Sequence, residues 1–189
     1  MSYSKFKYAA LGACAASALL ATDAYAQTET VTGATISLTV QNSFNLAQTT
    51  PMNFGTLAVF CDSGNNTTTA TLSTAGVLST GAPAATAQVI DIDATNRTQA
   101  VFDITGAAPS TAITVSRANI TNMTCAGCNG ANPVITTTSI NDDQGAGQST
   151  DGNGALTINV GAVLTTLASC AQQYEDGLYQ ATYDLTASY

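Results

Sequence analysis

Cys125-Ala-Gly-Cys128 is the sharpest chemical spacing in the chain. Two thiols so placed can supply half of a zinc site, a thiol–disulfide redox centre or a short structural disulfide. Zinc needs two further ligands, and the sequence contains no histidine. Apart from Cys14, the remaining cysteines are Cys61 and Cys170, far apart and without a second C-x-x-C. A redox pair belongs at the start of a helix in a βαβ unit, a pattern this chain does not offer. Two structural disulfides are therefore expected from Cys61, Cys125, Cys128 and Cys170, with three connectivities open.

The missing histidine also removes the Ser-His-Asp and Cys-His arrangements and the commonest general base. A glycosidase-type carboxylate pair is conceivable among Asp142, Asp143 and Asp151, and the same oxygens could attract calcium. Their spacing matches no calcium loop, and no tryptophan is present to line a sugar cleft. Asp91 and Asp93 alternate with Ile90 and Ile92, so the two acids are expected on the wet face of a strand. No catalytic residue, metal site or cofactor follows from these residues, and a non-enzymatic chain is the expectation.

Charge narrows the partners. Twelve acidic residues against four basic ones leave a net charge of −8. Nucleic acids and anionic lipids reward basic patches, so neither is an expected partner. A disordered acidic tail is not expected either, because Val, Ile, Leu and Ala are plentiful.

The first 26 residues read as a cleavable secretory signal. Lys5 and Lys7 form a basic start, residues 8–21 are apolar or small and uncharged, and Ala24-Tyr25-Ala26 fits a signal-peptidase site. That run is too short and alanine-rich to span a bilayer comfortably. Leu11-Gly12-Ala13-Cys14 looks like a lipoprotein cleavage site, but it would leave only a stub of apolar region before it. Gln27 is thus the expected first residue of a secreted chain, located in the periplasm, at the cell surface or outside the cell. No membrane span is expected after cleavage.

The 163 residues that follow (189 minus 26) are expected to form one all-β domain over 27–189. Ala34-Thr-Ile36-Ser-Leu38-Thr-Val40 alternates apolar and hydroxyl residues, the mark of a half-buried strand. Further strands are predicted over 52–60, 67–72, 87–92, 100–104, 112–115, 134–140, 155–160 and 178–189. Turn-formers separate them at 62–66, 79–83, 106–110 and 151–154. A short helical piece is predicted over 163–170. Many short strands without intervening helices point to an antiparallel β-sandwich.

Three segments carry a family resemblance. Thr50-Pro-Met-Asn-Phe-Gly-Thr-Leu57 resembles the Phe-Gly turn of the spore coat protein U and archaic chaperone–usher pilin family. It is similar, too, to related bacterial secreted domains of unknown function. Gly177-Leu-Tyr-Gln-Ala-Thr-Tyr-Asp-Leu-Thr-Ala-Ser-Tyr189 resembles their closing strand, and Asn159-Val-Gly161 the strand before it. Pilin-type members carry a cysteine ahead of the Phe-Gly turn, where this chain has Asn42-Ser-Phe44, which favours the uncharacterised secreted group.

The resemblance implies an immunoglobulin-like antiparallel β-sandwich of pilin-like type, which can be incomplete and completed by a foreign strand. It implies a fimbria-like subunit of the cell surface, with like subunits or a periplasmic chaperone as partners. Ile36, Leu38 and Val40 would then be either the domain's own first strand or a strand donated to a neighbour. The closing strand, with Tyr179, Tyr183, Leu185 and Tyr189, would leave an edge open unless the first strand covers it. The same plan implies that Cys61 pairs with Cys170, leaving Cys125 to pair with Cys128. The alternative is a monomeric secreted adhesion or binding module with a self-completed sandwich.

Overall fold

The structure, a computed structural model, describes residues 35–38, 40, 43–128, 133–145 and 148–189. The expected signal, residues 1–26, lies outside the described residues. The chain divides after Leu38, and the β domain belongs to the unit Thr39–Tyr189.

Every regular element among the described residues is a strand. They are β1 (Asn45–Thr50), β2 (Thr56–Phe60), β3 (Thr69–Leu72), β4 (Leu78–Thr80), β5 (Gln88–Asp93) and β6 (Ala100–Thr105). Then follow β7 (Thr114–Ala118), β8 (Thr124–Cys125), β9 (Thr136–Asp142), β10 (Leu156–Thr165), β11 (Tyr179–Gln180) and β12 (Asp184–Ser188). All their pairings are antiparallel. One sheet runs β1-β6-β10-β3-β4, with β9 also on β10; three two-stranded ladders, β2–β5, β7–β12 and β8–β11, complete the sandwich.

β10 organises the core. Its even-numbered residues Ile158, Val160, Ala162 and Leu164 are buried, the period-2 result of a pleated strand with one inward face. They meet Leu72 and Ala70 of β3 and Ile104 of β6 in one cluster, onto which Leu57, Val59, Val115, Leu185 and Ala187 pack from the ladders. The β6 ladder ends at Val160 and the β3 ladder begins at Ala162. Gly161 sits at the changeover, where a Cβ would overlap the Leu72 carbonyl oxygen and lie 2.7 Å from the Ser73 carbonyl carbon.

The Phe-Gly turn is built by its neighbours. Asn53 exchanges backbone hydrogen bonds with Thr98, at 2.8 and 2.9 Å, and its side chain accepts from the Gly55 N–H. Phe54 is thereby turned into the core. Gly55 takes φ +81°, a conformation glycine adopts without a Cβ penalty. The Arg97 Nε donates to the Phe54 carbonyl at 3.1 Å, while its guanidinium pairs with Asp91.

Several sequence expectations are corrected. Residues 35–38 and 40 form no strand; among the described residues the first strand is β1, which occupies the edge of β6, and Phe44 and Leu46 pack against the core. Alternation supplies an apolar face, but a strand also needs a ladder partner. The helical piece expected over 163–170 is absent: Val163, Leu164 and Thr165 continue β10, between β3 and β9. The closing strand is broken between β11 and β12, with Tyr183 in the gap. Asp91 and Asp93 are exposed, as expected of a wet face, and Asp91 also pairs with Arg97; Ile90 and Ile92 are exposed as well.

Candidate functional site

A cavity of about 490 Å³ runs along one edge of β2. All five β2 residues line it, with Ile135, Tyr174 and Tyr179 adding apolar surface and residues 173–177 forming the opposite wall. β2 pairs with β5 on its other edge and with no strand on this side among the described residues. Tyr174 and Tyr179 meet edge to face at 6.1 Å. Burial pushes both hydroxyls above the ordinary tyrosine range, and both are anchored. Tyr174 Oη accepts from the Leu167 N–H at 2.8 Å, and Tyr179 Oη donates to the Glu175 carbonyl at 3.2 Å.

The backbone chemistry of the groove is legible at its end. The Gln173 side-chain amide bonds both ways to Cys61, accepting from its N–H and donating to its carbonyl, each at 2.9 Å. Cys61 directly follows β2, so this amide occupies the position that a neighbouring strand's peptide group would take. Backbone groups of alternate residues point to the same edge. Val59 and Leu57 therefore present their N–H and C=O groups to the groove, while Ala58 and Phe60 are paired toward β5.

Both disulfides brace the far wall. Cys61 is bonded to Cys170, with Cα atoms 6.3 Å apart, and this ties the start of the 170–179 segment to the end of β2. Cys125 is bonded to Cys128. Gly177 lies against that second bridge, where a Cβ would stand 2.6 Å from Cys125 Sγ and 2.8 Å from Cys128 Sγ. The β8–β11 ladder, Tyr179 with Cys125 and Gln180 with Thr124, fixes the same end.

The remaining sequence candidates are dispersed. Ile36, Leu38 and Val40 are exposed, at 96%, 84% and 66%. Leu185 packs into the core from β12, which pairs with β7 over five registered residues. Tyr183 meets Phe102 edge to face, and Tyr189 meets Phe44 at 5.2 Å while accepting the Ala108 N–H. The three loop acids serve separate neighbours. Asp142 pairs with Arg117 at 2.8 Å, Asp143 accepts from the backbone and side chain of Asn159, and Asp151 caps the turn at Asn153 and Ala155. They do not converge on a common cleft.

The family model described as "Domain of unknown function (DUF4402)" matches residues 44–189. The chain belongs to that family. The DUF4402 match begins at Phe44 and ends at Tyr189, the two rings that close on each other across the sandwich. Neither the curated proteins nor the solved structures contain a significant match.

Sequence spacing did not reveal Gln173, Tyr174 or the groove-facing edge of β2. Gln173 and Tyr174 lie in an irregular segment after β10, with no periodicity to mark them. Cys170 and Cys61 were the available pointer, because the bridge between them brings the segment to β2.

Proposed function

We propose that this chain is a secreted, non-enzymatic structural subunit of the cell surface, fimbria-like, that joins its neighbours by β-strand complementation. The observation that carries this reading is the combination of the exposed, alternating Ile36, Leu38 and Val40 with a sandwich in which, among the described residues, one edge of β2 has no strand partner. Large aliphatic side chains left in water favour burial, and an open strand edge is a template for a further strand. The resemblance to spore coat protein U and the archaic pilins points the same way. Like subunits are the expected partners, with a periplasmic chaperone holding the chain before assembly.

A monomeric secreted adhesion or binding module is the second reading. It is favoured by the complete β7–β12 ladder, which seats the end of the chain without outside help. The test is size-exclusion chromatography with light scattering on the exported chain, beside electron microscopy of labelled cells. A ladder of oligomers and labelled surface fibres are expected. A single monomer peak across all concentrations, with label dispersed in the medium, would replace the subunit by the monomeric module.

A further inference from the structure

We infer that the groove between β2 and residues 173–177 is the acceptor, and that its occupant is residues 36–40 of a second copy of this chain. The inference rests on the strand-complementation reading above and adds the place and register of the joint. The cavity favours β2 over the closing strand as the acceptor. β12 and β2 each have one ladder partner, β7 and β5. It is the other edge of β2 that faces a cavity, lined in part by the apolar side chains of Leu57, Val59, Ile135 and Tyr174.

Three features argue for a strand rather than a compact ligand. The groove follows the whole of β2, five residues, or roughly 16 Å at the rise of a β-strand. The 36–40 segment has the same length. The Gln173 amide already makes one rung of a ladder on Cys61, so the next two rungs, at Val59 and Leu57, are in line for a peptide backbone. A further peptide would extend the hydrogen bonding that this side chain begins.

The side chains match as well. Leu57 and Val59 are half-buried and face the core, where Ile135 and Tyr174 also lie. A strand beside β2 places alternate residues on that same face. Ile36, Leu38 and Val40 would therefore pack inward, over Ile135 and Tyr174, and Ser37 and Thr39 would carry hydroxyls to the surface. The segment bears no charge, which suits a groove whose far wall includes Glu175 and Asp176. The disulfide at Cys61–Cys170 holds the wall at its distance from β2 before the strand arrives.

The experiment uses the full exported chain and two variants, Leu38→Asp and Val59→Pro. The first puts a charge at the centre of the donor; the second removes an N–H that faces the groove while leaving the β5 ladder its own donors. Each variant alone should remain monomeric. An equal mixture should give a dimer and nothing longer, since one variant keeps its acceptor and the other its donor. Hydrogen exchange provides a check that needs no acceptor variant. The Leu57 and Val59 amides should slow at least tenfold as the unaltered protein is concentrated, and not in Leu38→Asp.

Oligomers formed by Val59→Pro but not by Leu38→Asp, with slowed amides on β12, would place the acceptor elsewhere and leave the subunit reading standing. Protection of Leu57 and Val59 that is independent of concentration, and lost in Leu38→Asp, would show closure within one chain and overturn the second copy as occupant. An unaltered chain that never oligomerises, with freely exchanging Leu57 and Val59 amides, would overturn both this inference and the reading beneath it.

Discussion

Gly161→Ala tests the sandwich where its strands converge. Gly161 stands at the point on β10 where the β6 ladder gives way to β3. An added Cβ would overlap the Leu72 carbonyl oxygen and crowd the Ser73 backbone at 2.7 and 3.0 Å. These are main-chain atoms at the end of β3, so no rotamer change can make room. Relief requires β10 and β3 to separate, which disturbs the packing of Leu72, Ala162 and Leu164 in the core. Overpacking of this kind costs about 1–3 kcal/mol, and a clash with backbone belongs at the upper end, about 3 kcal/mol. In a domain of this size each kcal/mol lowers Tm by about 2–4 °C, so a fall of roughly 6–12 °C is expected. The assay is thermal unfolding followed by circular dichroism, with Gly152→Ala as control. A Cβ at Gly152 meets nothing within 4 Å, and that variant should stay within about 2 °C of the parent. A Gly161→Ala protein that melts within 2 °C of the unaltered chain would refute the close approach of β10 and β3.

Replacing Cys61 and Cys170 together by Ala should cost about 4–5 kcal/mol by the chain-entropy argument for a loop of this length, measured by urea unfolding. The Cys125 and Cys128 pair, closing a much shorter loop, should cost clearly less. Tyr183 Oη is buried without a hydrogen-bond partner among the described residues, and burial pushes its pKa up to about 12. The folded state thus favours the neutral phenol: this contribution is intact below about pH 10 and is lost as pH rises toward 12. Tyr183→Phe should be at least as stable at neutral pH and resist alkaline unfolding better, as read by melts between pH 9 and 12. Asp62 is held well below the usual carboxylate range, first by the Thr86 hydroxyl and then by the Asn66 side chain. Its contribution is present above about pH 4 and is lost as pH falls below that, so acid melts of Asp62→Asn should show a shallower decline with pH than those of the parent.

The strands that were legible in the sequence are those with strong alternation. The runs predicted at 67–72, 87–92, 100–104 and 155–160 coincide with β3, β5, β6 and much of β10. In β3, β6 and β10 an inward apolar face at period 2 is written directly in the residue order, whereas in β5 Val89 is buried and Ile90 and Ile92 are exposed. β1 was missed: Asn45-Leu-Ala-Gln-Thr-Thr50 has one large apolar residue, Leu46, and pairs because β6 offers it an edge. The opposite error fell on residues 34–40, whose alternation is clean but whose described residues have no ladder. The end of β10 was misread as helical because Val163-Leu-Thr-Thr-Leu167 contains apolar residues at mixed spacing; pairing with β3 and β9 decides the matter.

The residue order by itself determined an all-β chain and a glycine at the Phe-Gly turn. It also narrowed the chemistry, since a chain without histidine lacks the usual general base. These are local properties, carried by side-chain type and period. Only the tertiary structure decided that one edge of β2 faces a cavity rather than another strand among the described residues, because an edge is defined by the strand that fails to arrive. It also brought Gln173 to Cys61 across more than a hundred residues, and set Gly177 against the Cys125–Cys128 bridge. Such contacts depend on the closure of distant segments around one core, and no periodicity along the chain records them.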